Sequence, residues 1–327
     1  MPNRLLILCV GIAAMAQMTT DAEGGAKAPK PRPRAEVEAA LAKAPEPPPE
    51  ADLEPLHVVL WADVKDHGPG QHDYPRWQKR WALLLGGRDA AEPDVKQVNL
   101  HGPPRGTLDA VGAGAPNVKV TTAWKWPSDE QLAGADLLAM FCYRSGGTPR
   151  RTWSDAQVAK LEAFLARGGG FVAIHPATYS VRDLSKPASA RALAITALGF
   201  DRTIRVRHGH MTLKIAAPEH PICRGLPETI EVHDGPYWPP VGDLSQVTVL
   251  ATSDESKAKG TKETAPMPMF WTARHGQGRI FACVIGHFNW TFDDPYIRAL
   301  LLRGMAWAAG GSPYRFDPLI LRGAAVE

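Results

Sequence analysis

The stretch Gly168-Gly169-Gly170-Phe171-Val172-Ala173-Ile174-His175-Pro176-Ala177-Thr178 decides the fold class. Four apolar residues held between a glycine run and a proline read as a short strand buried on both faces. The segment before it, residues 154–167, opens on Ser154 with Gln157 three residues later and carries Val158, Leu161, Phe164 and Leu165 at helical spacing. That is a capping box ahead of an amphipathic helix, which the glycines then stop. Residues 135–142 upstream form another apolar strand, so the order is strand, helix, strand. Such crossovers are right-handed and build open parallel sheets whose ligand sites lie beyond the carboxyl ends of the strands. His175 is thereby expected on that rim.

Working outward, Leu56-His57-Val58-Val59-Leu60-Trp61 reads as a central parallel strand, followed by a histidine- and glycine-rich loop over 63–73. A helix with Trp77, Trp81, Leu84 and Leu85 on its apolar face ends at Gly86-Gly87, and a second strand is expected near 95–100. The second half is richer in strands, at 203–206, 211–216, 229–232, 247–252, 267–274 and 279–285, with a hairpin at Gly276-Gln277-Gly278. Asp293 or Asp294 with Pro295 starts a final helix that Gly310-Gly311 ends. The fold class is α/β: an open, mostly parallel sheet flanked by helices, with extra hairpin strands in the second half.

At the N-terminus Arg4 precedes an apolar run over 5–16 that ends Ala14-Met15-Ala16, the pattern of a cleavable export signal. The run is shorter than the roughly 20 residues that cross a bilayer, so no integral span is expected after cleavage and the location is periplasmic or secreted. The expected organisation is a signal peptide over 1–16, a disordered linker over 17–55 rich in alanine and proline, one α/β domain over 56–315 and a tail over 316–327. A short helix from residue 34 to 44 fits within the linker. Cleavage leaves Cys142, Cys223 and Cys283 in apolar surroundings without metal-type spacing, read as buried small hydrophobes. Lys and Arg at 37 against Asp and Glu at 34 give +3, too balanced for a phosphate-binding field, so nucleic acid is not an expected partner.

Four groups of residues together resemble the trehalose-utilisation (ThuA-like) family, a branch of the class I glutamine amidotransferase-like fold. They are Asp66-His67-Gly68 through His72; the glycine run into His175-Pro176-Ala177-Thr178; Pro218-Glu219-His220-Pro221 through Gly225-Leu226-Pro227 to His233-Asp234-Gly235-Pro236-Tyr237; and Gly276-Gln277-Gly278-Arg279 with Gly286-His287 and Trp307-Ala308-Ala309-Gly310. The resemblance implies a flavodoxin-like sheet and a link to disaccharide or oxidised-sugar metabolism. The chain departs from it at His233-Asp234, where an acidic pair is expected. In glutamine amidotransferases the turn after the equivalent strand holds a nucleophilic cysteine; here His175 stands there, and an imidazole is no substitute for a thiolate.

His175, Asp234 and His287 are the expected catalytic residues. A histidine at a strand-to-helix turn is disfavoured as a cation by the following helix start and so stays a neutral base near pH 7. His67, His72, Tyr143, Arg144, Thr178, Tyr237 and Trp290 suit a small-molecule carbohydrate, because rings stack on C–H faces while imidazole and guanidinium bond hydroxyls. His208 and His210, two apart on an extended strand, face one side and with His233 form the expected divalent metal site. No cofactor beyond such an ion is expected. The functional expectation is an exported protein acting on a sugar or keto-sugar by histidine acid/base chemistry, metal-assisted. The alternative is a non-catalytic carbohydrate-binding or envelope module on the same rim. The enzyme class is open among hydrolase, lyase and isomerase.

Overall fold

The apolar run at the head of the domain forms strand β1 (Leu56–Ala62), and its neighbours in the computed structural model follow from the same burial logic. Residues 27–143, 153–178, 184–201 and 203–327 are described. Strands β2 (Val118–Trp124), β3 (Leu137–Met140), β4 (Gly170–Ile174), β5 (Gly209–Ile215), β6 (Thr229–Asp234), β7 (Val247–Ser256), β8 (Thr264–His275) and β9 (Gly278–Cys283) join β1 in one sheet. Their order is β2-β1-β3-β4-β9-β8-β7-β5-β6. The pairs β1–β2, β1–β3, β3–β4 and β4–β9 are parallel, and the remaining four are antiparallel. The sheet is therefore mixed, a correction to the mostly parallel expectation. Its two halves bury differently. Every residue of β3 and β4 is buried, as strands covered on both faces must be, whereas β5 and β6 alternate buried and open positions.

The segment 95–100 is not a strand. Its apolar Val98 and Leu100 are buried, but the backbone is held by the carboxylate of Asp293, which accepts from Leu100 N (2.7 Å) and His101 N (2.8 Å). The second strand in sequence is β2, an edge strand whose exposed Lys119 and Thr122 hide it from a reading for apolar runs.

Helix α1 (Arg34–Leu41) lies inside the expected linker. It is packed down: Val37 is fully buried, and Ala40 O sits where a side chain on Gly225 (φ +76°) would have to go. Beside it Arg32 N bonds Ala325 O (2.9 Å), Arg34 N bonds Glu327 O (2.9 Å) and Glu327 N returns to Arg32 O (3.0 Å). Residues 27–55 thus include a docked arm, and the tail, with Phe316 and Ile320 buried, belongs to the core. Proline-rich composition argues against an independent core, not against docking on one already made.

Helices α2 (Tyr74–Gly86), α3 (Asp155–Ala166), α4 (Pro187–Thr196) and α5 (Pro295–Ala308) cover the sheet. Both capping-box bonds of Ser154 and Gln157 are present. A side chain at Gly170 would meet Ala308 O at 2.3 Å, so this glycine lets α5 lie against β4. Among the described residues no helix is long and apolar enough to cross a membrane. Residues 1–16, the expected signal, lie outside the described residues, as does Arg144.

Candidate functional site

Three loops at the carboxyl ends of parallel strands bring histidines together. His72 ends the loop after β1, His175 follows β4 directly, and His287 lies four residues beyond β9. The loops after β1 and β9 are stitched through main-chain bonds, His72 N to His287 O (3.0 Å) and Asn289 N to Gly70 O (2.8 Å). Lys65 ties the first loop to itself by donating to Gly68 O (2.6 Å) and Gln71 O. His72 and His175 both adopt positive φ, +42° and +50°, a conformation that side-chain-bearing residues enter at a cost and that clusters at functional sites. Thr178 is buried and donates to His175 O (2.6 Å), which caps the turn instead of facing a ligand.

The ring nitrogens converge. His72 Nε2 lies 2.9 Å from His175 Nε2 and 2.9 Å from His287 Nδ1. The ring protons follow from the surrounding acceptors. His175 Nδ1 donates to Val284 O (2.6 Å), which leaves its Nε2 a lone pair when the ring is neutral. His72 Nδ1 faces Asp66 Oδ1 (3.1 Å), and the same oxygen accepts from Tyr74 Oη–H (2.9 Å) and faces His67 Nδ1 (2.9 Å). Tyr74 Oη lies 2.8 Å from the same His72 nitrogen. With the Tyr74 hydroxyl donating to Asp66, the His72 Nδ1 proton faces two acceptors, the Tyr74 and Asp66 oxygens, and its Nε2 is left a lone pair. Two lone pairs at 2.9 Å repel unless a positive centre lies beside them.

Charge and burial agree with neutral rings. Burial first, then the nearby His67, outweigh Asp66 and push His72 down to about 4. Burial, with His72 and His208 beside it, pushes His287 down to about 2. Burial holds His175 well below the ordinary histidine value, reinforced by His72 and His287. Asp66 is opposed by its own burial, yet the hydrogen bonds from His67, His72 and Tyr74 keep it well below the usual carboxylate range.

The donor set suits a transition metal. His67, His72 and His287 offer ligand nitrogens all within 4.8 Å of one another, and imidazole trios favour zinc and similar ions. Metal-bound histidines usually donate their other N–H to a carboxylate or carbonyl, as His72 and His67 do with Asp66. His287 Nε2 is buried with no partner among the described residues. Asp66 and Tyr74 are the site residues that sequence reasoning missed as participants; the adjacency of Asp66 to His67 was the available signal.

The other expected residues divide. Tyr237 stacks on the His175 ring at 4.3 Å, and the Tyr143 ring centre lies 6.0 Å from that of His72. His208 stacks on His287 at 4.1 Å, while His210 turns to His233, 4.9 Å away across the β5–β6 pair. The expected trio of His208, His210 and His233 is therefore not assembled. Gly209, with φ +143°, breaks the extended geometry on which the two-residue period depends. Trp290 donates to His233 O (2.9 Å), stacks on Phe288 (4.3 Å) and lines a separate cleft with His101. Asp234 is fully buried and accepts from Gly286 N (2.6 Å) and His287 N (2.9 Å), so it fixes the loop that carries His287. Burial pushes its carboxyl up to about 6 against those donors. His175 has no exposed surface, so it forms the floor of the cluster, not a base open to solvent. Burial rather than a helix start is the leading cause of its neutrality.

An α/β sheet with a histidine cluster at the carboxyl ends of its parallel strands defines the class. The sequence model of the trehalose-utilisation (ThuA) family matches residues 105–308, more than half of the chain, and the chain belongs to that family. His175 and His287 fall inside the matched span, and His67 and His72 precede it. The fold is similar to that of a ThuA-like protein from Parabacteroides merdae, at 17% identity and TM-score 0.54 over 79% of this chain and 92% of that one. A ThuA-like protein from Bacteroides uniformis aligns at 17% identity and TM-score 0.55 over 83% and 99%. Among curated proteins none matches.

Proposed function

We propose that this chain is an exported, metal-assisted enzyme acting on a disaccharide or its keto-sugar form at the histidine cluster. The observation that carries the reading is the convergence of His72, His175 and His287, with the ring protons of His72 and His175 directed outward to Asp66 and Val284. His67, His72 and His287 would hold a divalent ion, and when bound it would polarise a carbonyl or hydroxyl oxygen. His67, whose side chain is 34% exposed, is the ligand open to a sugar. His208, exposed and stacked on His287, is a neutral imidazole placed to take a proton from carbon next to a carbonyl. His175 and Tyr237 brace the floor, and Asp234 holds the His287 loop. The sugar link comes from the family, and the run over 5–16 supports export.

The test combines elemental analysis of the purified chain with incubation on trehalose and on its keto derivative. Metal near one equivalent, with consumption of either sugar that stops on chelation and returns with the ion, is the expected result. Saturable sugar binding without chemical change would replace the enzyme by a binding module. Absence of both metal and sugar response would overturn the reading.

A further inference from the structure

We propose that the cleft between the N-terminal arm and the C-terminal tail binds the oxyanion headgroup, carboxylate or phosphate, of a small organic molecule. This cleft holds about 840 Å³ of empty space, part of it open to solvent, and three arginines line it: Arg34 at the start of α1, Arg105 from the loop after residue 100, and Arg322 from the tail. No acidic residue lines it; the remaining wall is glycine and apolar residues such as Val111, Pro318 and Leu321. None of its residues belongs to the histidine cluster, so the inference stands apart from the proposed reaction.

The guanidinium groups are only lightly used. Arg34 Nη1 meets Glu38 at 3.2 Å in a half-exposed pair, Arg105 Nη1 reaches Asp293 at a long 3.5 Å, and Arg322 Nη1 donates to Gly114 O at 3.0 Å. Exposed pairs like the first contribute little and yield readily to a better acceptor. Nε and Nη2 of all three make no other bond among the described residues, which leaves planar forks of the kind that match carboxylate and phosphate oxygens. Arg322 is partly desolvated, which lowers its pKa from the ordinary arginine value. An anion beside the Arg322 guanidinium offsets that cost. The apolar wall fits an organic body behind the charged group and accounts for a cleft larger than a bare ion needs.

The experiment is calorimetric titration of the full chain, at low ionic strength, with inorganic phosphate, with glucuronate and with uncharged glucose. Saturable binding of phosphate, of glucuronate or of both, weakened about tenfold by Arg34→Gln and again by Arg322→Gln, with glucose inert, is the expected result. Phosphate alone or glucuronate alone would each support the site and name its headgroup. Arg34→Gln, at an exposed position, keeps the test open should Arg322→Gln unfold the tail. No saturable binding of either anion, or binding unchanged in Arg34→Gln, overturns the proposal.

Discussion

The inner histidines, His72, His175 and His287, and the outer pair, His210 and His233, share a residue type and little else. The inner rings are buried, two of them, His72 and His175, held by an acceptor that sets the proton, and they come from loops more than a hundred residues apart. The outer pair sits across adjacent antiparallel strands and is more open. Proximity in a strand pairing needs only the register, whereas a set of oriented lone pairs needs acceptors placed behind each ring. His72 and His175 have that backing, and Asp234 fixes the backbone that carries His287.

The sharpest way to break the contrast is to remove one ring from each group. His72→Ala is expected to abolish metal binding and to lower turnover by about a thousandfold or more, equivalent to about 4 kcal/mol, while His210→Ala leaves both nearly unchanged. Steady-state rates and metal stoichiometry on the two variants decide it; equal losses would erase the distinction.

Acid should separate the groups next. The folded state keeps His72 neutral down to about 4, whereas the unfolded ring takes a proton near 6.5. Its contribution is full above 6.5 and is lost as pH falls from there to about 4, up to about 3 kcal/mol for this ring alone. His287 continues the loss to lower pH. Asp234, raised to about 6, works in the opposite sense from about 6 down to 3.8 and offsets part of it. Urea midpoints at pH 7 and 4.5 should differ, and the difference should shrink in His72→Gln.

Asp66→Asn tests the backing of the rings. Losing the charge that orients His72 and His67 should weaken metal affinity about 10- to 100-fold with a small change in melting temperature. At the other extreme, His210→Gln should move stability by no more than about 0.5 kcal/mol in thermal melts.

The crossover of α3 and β4, the central β1 and the final helix were legible because burial on both faces leaves continuous apolar runs and because Ser154 and Pro295 mark helix starts. The edge strand β2 was not, since one neighbour and an open face permit polar residues. His67, His72, His175 and His287 could be named as rim residues from their positions after strands. Their mutual geometry could not, because it depends on Asp66, Tyr74 and the Val284 carbonyl arriving from separate loops. Periodicity misled at His208 and His210, where a single glycine conformation overrides it. It also gave no sign that a proline-rich arm would find a seat beside the last residues.

That seat has a consequence for how the molecule comes into being. Residues 32 and 34 bond with 325 and 327, so a chain delivered amino end first cannot seat this arm until residues 325 and 327 have been made. The two segments act as a clasp, and a stop before residue 318 would leave α1 and the arginine-lined cleft without one of their walls.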